Sequence, residues 1–498
     1  MQDKSIIIIG AGLGGLAAGI FGQLNGYKTE VFEMHNTPGG QCTAWKRRGY
    51  TFDACIHHLF GCTPATPLHT IWKETGAMPR ELVPLRECVS VLSADGKLLR
   101  DYYDLERLES HLNEMAPADH TMIRDYISGI KAAMKSDAMG AIMAGSKTDL
   151  IKAIPGFVRS MRWLKPTMGQ YGLRFRDPFL RRAVPLLVYA NPEVPLLIHM
   201  ARHAYGNSGA LQWPVGGARD FAASIADRYV GLGGTIHYRS RVTGIVTRHS
   251  KACGIRLEDG SEHSADIVIS NADGRKTILD MLEGRFIDDR VRSWCTAAQD
   301  EMPFAVQIFL GVNRDLSAEP SSMVIILDPP VELAGHLCHE FELQTYGFDP
   351  TMAPSGKGVI KVELTSTYSH WKALATDRES YVAAKQEVAD RVIDLLERRY
   401  FTGLRQQVEV IDVSTLVTWE RFTGGTMGLG IYPTKTMSIM GSIFAGSRGA
   451  TLPGLSDFYF AGTWATSAGA LFMNALSGKR VINAICRSDG KAFVGRLQ

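Results

Sequence analysis

The sequence predicts an α/β protein built on a discontinuous Rossmann-type domain, interrupted by a helical insert and a mixed-sheet domain. Three observations predict it: a β-branched run at residues 5–9 leading straight into a glycine-rich turn, an acid closing the second predicted strand, and further strand-and-glycine blocks within 213–275 and 419–498.

Ser5-Ile6-Ile7-Ile8-Ile9 is too short for a helix and apolar on both faces, the pattern of a central parallel strand. Gly10-Ala11-Gly12-Leu13-Gly14-Gly15 follows with G-x-G-x-x-G spacing. In that spacing Gly10 makes the tight turn, Gly12 admits a pyrophosphate, with Gly14 beside it in the loop, and Gly15 lets helix and strand pack closely. Leu16 to Asn25 reads as the helix and Gly26 as its stop. Lys28 to Phe32 reads as a second strand ending at Glu33, 21 residues beyond Gly12. A carboxylate there accepts ribose hydroxyls and repels a 2′-phosphate. Together these elements predict a Rossmann-type dinucleotide-binding unit that does not take NADP.

Trp213 to Gly217 precedes a helical stretch, and Arg241 to Ile245, an Asp259-Gly260 turn and Ala265 to Asp273 bring the chain back as strands. Phe458-Tyr459-Phe460-Ala461-Gly462 is an aromatic strand ending in glycine; Ser467-Ala468-Gly469 then opens a long apolar helix, Ala470 to Cys486. A helix N-terminus offers free N–H groups and partial positive charge to an anion. The predicted organisation is a discontinuous dinucleotide domain (1–73, 213–275 and 419–498), a helical insert or lid (74–212) and a mixed-sheet substrate domain (276–418). Asp119 to Met143 and Tyr381 to Arg399 are its long predicted helices.

Thr37-Pro38-Gly39-Gly40-Gln41, Gly49 to Asp53 and Ala54-Cys55-Ile56-His57-His58 complete a pattern that resembles the flavin superfamily of amine oxidases, phytoene desaturases, carotenoid isomerase and retinol saturase. The resemblance, carried also by the middle and C-terminal blocks, implies non-covalently bound FAD. It places Gly39 and Gly40 on the pyrophosphate, Gln41 where an arginine is common, and Asp53 in a turn near the isoalloxazine, with Cys55 in place of a glycine. It places Val242 on the adenine, Gly462 at the end of the C-terminal strand with Thr463 where an acid is common, its hydroxyl a donor to a phosphate, and the helix start at Gly469 and Ala470 at the flavin edge.

The stretch Asp53 to Gly61, with Asp349 to Lys357 and Thr418 to Gly428, is more similar to retinol saturase and carotenoid isomerase than to amine oxidases. This implies carbon–carbon bond chemistry on an apolar, isoprenoid or polyene substrate by hydride transfer at flavin N5, with an electron donor or acceptor. Desaturation, saturation and isomerisation stay open, as do a flavin amine oxidase and a non-catalytic flavin-binding lipid carrier.

His57 and His58 are the catalytic candidates, since imidazole exchanges protons near neutral pH. Trp419, Phe422, Tyr432, Trp464 and Phe472 are candidate walls of the flavin or substrate channel. His199 and His203 share a helix face at i,i+4 but lack an adjoining glutamate, and are expected at the surface; no metal is expected. Eight scattered cysteines without a CxxC pair fit reduced thiols in a cytoplasmic enzyme. The net charge of +3 is too small for a nucleic-acid partner. No secretory signal is expected, and no apolar run reaches the ~18 residues a membrane span needs. Residues 151–165 alternate basic and apolar side chains, the pattern either of an interfacial membrane helix or of a surface helix with a buried stripe. Pro155-Gly156 is expected to break it.

Overall fold

The structure, a computed structural model, describes residues 4–135, 137, 140–141, 147–188, 190–296, 301–425, 450–466 and 469–496. Its first layer is a five-stranded sheet in the order Thr235–His237, Lys28–Phe32, Ser5–Ile9, Ile267–Ser270, Phe458–Phe460, with every pairing parallel. Strand Ser5–Ile9 is central and apolar on both sides because both sides are covered. Ile6 and Ile8 pack with helices Leu13–Leu24 and Gly217–Gly231. Ile7 and Ile9 pack against a three-stranded antiparallel sheet (Val242–Arg248, Lys251–Leu257, Glu262–Ser264). Helix Leu13–Leu24 meets the C-terminal helix Leu471–Ser488 where Gly478 lies against the first: a Cβ there would stand 2.5 Å from Ala18 N. Only glycine allows that approach.

The second layer is a mixed sheet of seven strands: Val408–Ser414, Glu301–Val312, Gly358–Thr367, His336–Thr345, Ser322–Leu333, Glu87–Leu92, Leu98–Tyr102. Ser322–Leu333 pairs parallel with Glu87–Leu92, and the remaining pairs are antiparallel. Strand alternation splits its faces. Ile308, Leu310, Val362 and Leu364 bury against helix Arg378–Arg399. Gln307, Lys361, Glu363, Glu342 and Gln344 lie on the opposite face, also buried.

Helices Leu105–Met115, His120–Met134, Lys147–Ser160 and Leu196–Asn207 fill the insert. The insert is not purely helical, because its residues 87–92 and 98–102 extend the seven-stranded sheet. The predicted helix from Asp119 is described to Met134; its continuation to Met143 lies largely outside the described residues. Contrary to expectation, helix Lys147–Ser160 runs through Pro155. Pro155 is exposed, so the carbonyl it frees is open to water.

Candidate functional site

Parallel strands place their carboxyl ends along one edge, and the chain turns outward there, opening a crevice. The residues just beyond the five strands, Gly10, Glu33, Ser240, Asn271 and Thr463, all line one cleft. Gly39, Gly40, Gln41 and Val242 line it too. Gly39 N donates to Ala11 O at 2.9 Å, so the second glycine pair is stitched directly to the first loop.

The cleft floor has no room for side chains. A Cβ on Gly12 would lie 2.6 Å from the Asn271 amide nitrogen, and one on Gly14 would lie 2.6 Å from both Gly462 N and Asn271 Oδ1. Gly15 is set against Gly10 O, where it brings helix and strand together without lining the cleft. Gly462 takes φ +76°, and its N–H donates to Ser477 Oγ at 2.7 Å. Thr463 Oγ donates to Asn474 Oδ1 at 3.1 Å.

Two helices point their first turns at this floor. Helix Leu13–Leu24 starts at Gly12 and helix Leu471–Ser488 at Ala470; neither has a side-chain cap or an acid in its first turn. Both leave N–H groups for an anionic ligand. Gly469 and Leu471 line the cleft; Ala470 fixes the helix start. Ser467 and Ala468, expected to open this helix, lie outside the described residues.

Glu33 is buried; Oε2 accepts from Ala11 N at 2.7 Å and Oε1 from His35 N at 2.8 Å. Burial raises its carboxyl above the usual range, and the backbone donors of His35, Ala11 and Met34 pull it back. With three backbone donors, about one of its four lone-pair sites stays open for a ribose hydroxyl. The donor set therefore fits a dinucleotide: an acid at one end, glycine backbone and two helix N-termini in the middle. The cleft also reaches Cys42 and Cys55.

Asp53 is a correction. It is fully buried and does not line the cleft. Oδ1 accepts from Cys55 N (2.9 Å) and Ile56 N (2.8 Å), and Oδ2 from Ala218 N (2.6 Å). It clamps the turn that carries Cys55 to the cleft wall.

His57 and His58 also stand away from the cleft lining, one turn beyond Cys55. His57 Nε2 lies 3.2 Å from Glu363 Oε2 on the polar face of the seven-stranded sheet. Gln307, Glu363 and Glu342 form one cross-strand row there, and Lys361 Nζ stands 3.3 Å from Glu363 Oε1. Burial opposes ionisation of Glu363, but Lys361 and His57 overcome it and hold the carboxyl down at about 2. Glu342, buried beside Glu363, is pushed up to about 8. Burial lowers His57, with Glu363 opposing. His58 is lowered further, by burial and then by the Arg202 guanidinium 3.5 Å from Nδ1.

Of the aromatic candidates, Trp464 lines the cleft and is buried against Phe460 and Trp294. Trp419 is buried in the core; Phe472 packs edge-on to Phe60; Phe422 is exposed beside His35. Tyr432 lies outside the described residues. Asn271, Asp273, Ser240, Arg241 and Asn474 line the cleft without having been singled out as ligands. The rule that sites open beyond strand ends is the signal for Asn271 and Ser240; Asn474 comes close only through the turn of its helix.

Residues 8–75 match the NAD(P)-binding Rossmann-like domain family. The chain is 25% identical over 459 residues to prolycopene isomerase 1, chloroplastic, of an Oncidium hybrid cultivar, covering 86% of this chain and 75% of that protein. It is 26% identical over 423 residues to the lycopene-forming phytoene desaturase of Pseudescherichia vulneris, covering 81% and 84%. Among solved structures, an oxidoreductase from Methanosarcina mazei superposes with TM-score 0.64 at 18% identity, covering 96% of this chain and all of the other. Putrescine oxidase bound to putrescine superposes with TM-score 0.57 at 13% identity, covering 98% and 99%. The relatives are enzymes, and the similarity to carotenoid desaturases and isomerases runs along most of the chain. The solved structures carry the same fold.

Proposed function

We propose that this chain is an FAD-dependent oxidoreductase acting on carbon–carbon bonds of an apolar, isoprenoid or polyene substrate. The observation that carries the reading is the cleft itself, whose glycine floor, buried Glu33 and two uncapped helix N-termini suit a dinucleotide and whose lining reaches Cys42 and Cys55. Glu33 would hold the adenosine ribose, the Gly10–Gly15 and Gly39–Gly40 backbone the pyrophosphate, and Val242 the adenine. Bound FAD supplies a two-electron hydride acceptor or donor.

The chain's own task is then to present the reacting bond and manage a proton. His57, two residues beyond Cys55 and 3.2 Å from Glu363, is our candidate for that exchange, with Glu342 in the same patch. His58, beside Arg202, is placed to position rather than to exchange. The similarity to phytoene desaturase and prolycopene isomerase supports a polyene over an amine, because it holds at sequence level, while that to putrescine oxidase is one of fold.

An apolar substrate reaches such a site most readily from a bilayer, and helix Lys147–Ser160 suits the contact. Its apolar stripe faces outward: Ile151 is 67%, Ile154 51% and Val158 59% exposed, flanked by Lys152, Arg159, Arg162 and Lys165. A merely solvated surface helix buries that stripe. No helix among the described residues is long and apolar enough to cross a membrane, so the contact proposed is peripheral.

Product analysis tests the assignment. FAD-reconstituted protein given conjugated polyenes in liposomes, with an electron acceptor, should change their double-bond number or geometry, and His57→Gln should slow this at least tenfold. Peroxide release on an amine panel with unchanged polyenes would instead assign an amine oxidase.

A further inference from the structure

His199 and His203 were expected at the surface, and both are fully buried. They lie four residues apart on helix Leu196–Asn207, the spacing that stacks two side chains on one face. That face looks onto the edge of the substrate sheet. Strand Leu98–Tyr102 presents Asp101 to it and the paired strand Glu87–Leu92 presents Cys88. All four side chains are more than nine-tenths buried.

The spacing of these groups suits ligands better than hydrogen-bonding partners. His199 Nε2 stands 3.5 Å from Asp101 Oδ2, and His203 Nε2 stands 3.4 Å from Asp101 Oδ1. Good N–H···O bonds are about 2.7–3.2 Å. Donors bound at about 2.0–2.3 Å around a tetrahedral ion are instead separated by roughly 3.3–3.6 Å. Donor atoms of Cys88, Asp101 and His199 fall within 4.8 Å of one another. Asp101 Oδ2, His199 Nδ1 and both nitrogens of His203 have no hydrogen-bond partner, a cost that buried polar groups seldom bear. The one short contact is from Tyr126 Oη to His199 Nε2, 2.5 Å; an ion on that nitrogen takes the place of this hydrogen bond, and the Tyr126 side chain shifts toward Asp101 Oδ1, now 3.4 Å away, to admit it.

We infer that His199, His203, Asp101 and Cys88 form a binding site for a divalent transition metal, zinc by its donor set. Two imidazoles, a carboxylate and a thiolate give the N/O/S mixture and the count of a closed structural zinc site. The His57, Glu342, Glu363 triad on the same sheet is a different case, since Lys361 Nζ stands within 3.3 Å of its Glu363 carboxylate; Arg202 also bears electrostatically on Asp101. The metal would pin helix Leu196–Asn207 to the sheet edge. That helix carries Arg202 to His58, so the metal holds the substrate-side wall at a distance from the reacting atoms. The inference is independent of the proposed reaction.

The test uses full-length protein purified without chelator. Elemental analysis should find about one zinc per chain. After chelation, added Zn²⁺ should raise the melting temperature, and Co²⁺ should give the visible bands of a tetrahedral site with a near-ultraviolet thiolate-to-cobalt band. Cys88→Ser should abolish the thiolate band, and His203→Gln should weaken Co²⁺ binding at least tenfold. The wild-type titration stands even if a variant fails to fold. Protein that carries no metal as purified, and whose melting and absorption do not respond to Zn²⁺ or Co²⁺, overturns the inference; so does folded His203→Gln that binds Co²⁺ as tightly as wild type.

Discussion

Gly12 and Asp53 show how single residues divide the work. A methyl at Gly12 meets mainly the Asn271 side chain, which can swing aside, but it stands where a pyrophosphate approaches the loop. Gly12→Ala should therefore keep its melting temperature within a few degrees and lose FAD affinity at least tenfold, measured by flavin absorbance titration. Asp53→Asn should do the reverse. It weakens a carboxylate that accepts three backbone N–H bonds, costing about 1–3 kcal/mol in denaturant melts, with flavin still bound. The glycines were legible because a missing side chain at fixed spacing has few explanations. Asp53 was not, since an acid in a flavin-like turn reads the same whether its oxygens face a ligand or the backbone. Glu342 adds a pH signature. Its folded carboxyl titrates near 8, far above an unfolded glutamate, through burial and then Glu363. Its contribution is fully present below the unfolded pKa of about 4.3 and lost as pH rises through 8. Glu342→Gln should flatten the fall in melting temperature between pH 5 and 8 and be more stable than wild type at pH 8. An unchanged slope would place the titrating group elsewhere.

Among elements, the two helices that begin at Gly12 and Ala470 were readable from their glycine-rich starts, because a helix entering a phosphate site announces itself by small, uncapped residues. Strands Glu87–Leu92 and Leu98–Tyr102 were not readable as members of the substrate sheet. Their partner strand lies more than two hundred residues away, and nothing local encodes such a pairing. Helix Lys147–Ser160 was ambiguous for a related reason: periodicity shows a stripe but not the side it faces. With the stripe exposed, Ile151→Asp combined with Val158→Asp should cut co-sedimentation with anionic liposomes at least tenfold and leave FAD affinity unchanged. Equal binding by the double variant would remove the membrane contact.

At the scale of the molecule, a parallel sheet with its ligand edge faces a mixed sheet with one apolar and one ionisable side, and the Cys55 to His58 turn lies between them. The discontinuous dinucleotide domain was visible in the sequence because its pieces share one grammar of strand, glycine and helix. The buried patch of Lys361, Glu363, Glu342 and His57 was not visible, since alternation on a strand marks a polar face as solvent until a second layer covers it. The covered patch and the cleft together make one claim: FAD in the cleft exchanges two electrons with a polyene presented at the patch. The most direct measurement is anaerobic mixing of photoreduced, FAD-loaded protein with polyene-bearing liposomes, following flavin absorbance and the polyene together. The expected result is return of oxidised flavin in step with loss of one polyene double bond, or a change of double-bond geometry that requires the reduced flavin. A protein that retains no FAD, or whose reduced flavin leaves every polyene unaltered while its oxidised flavin is bleached by amines, would contradict it.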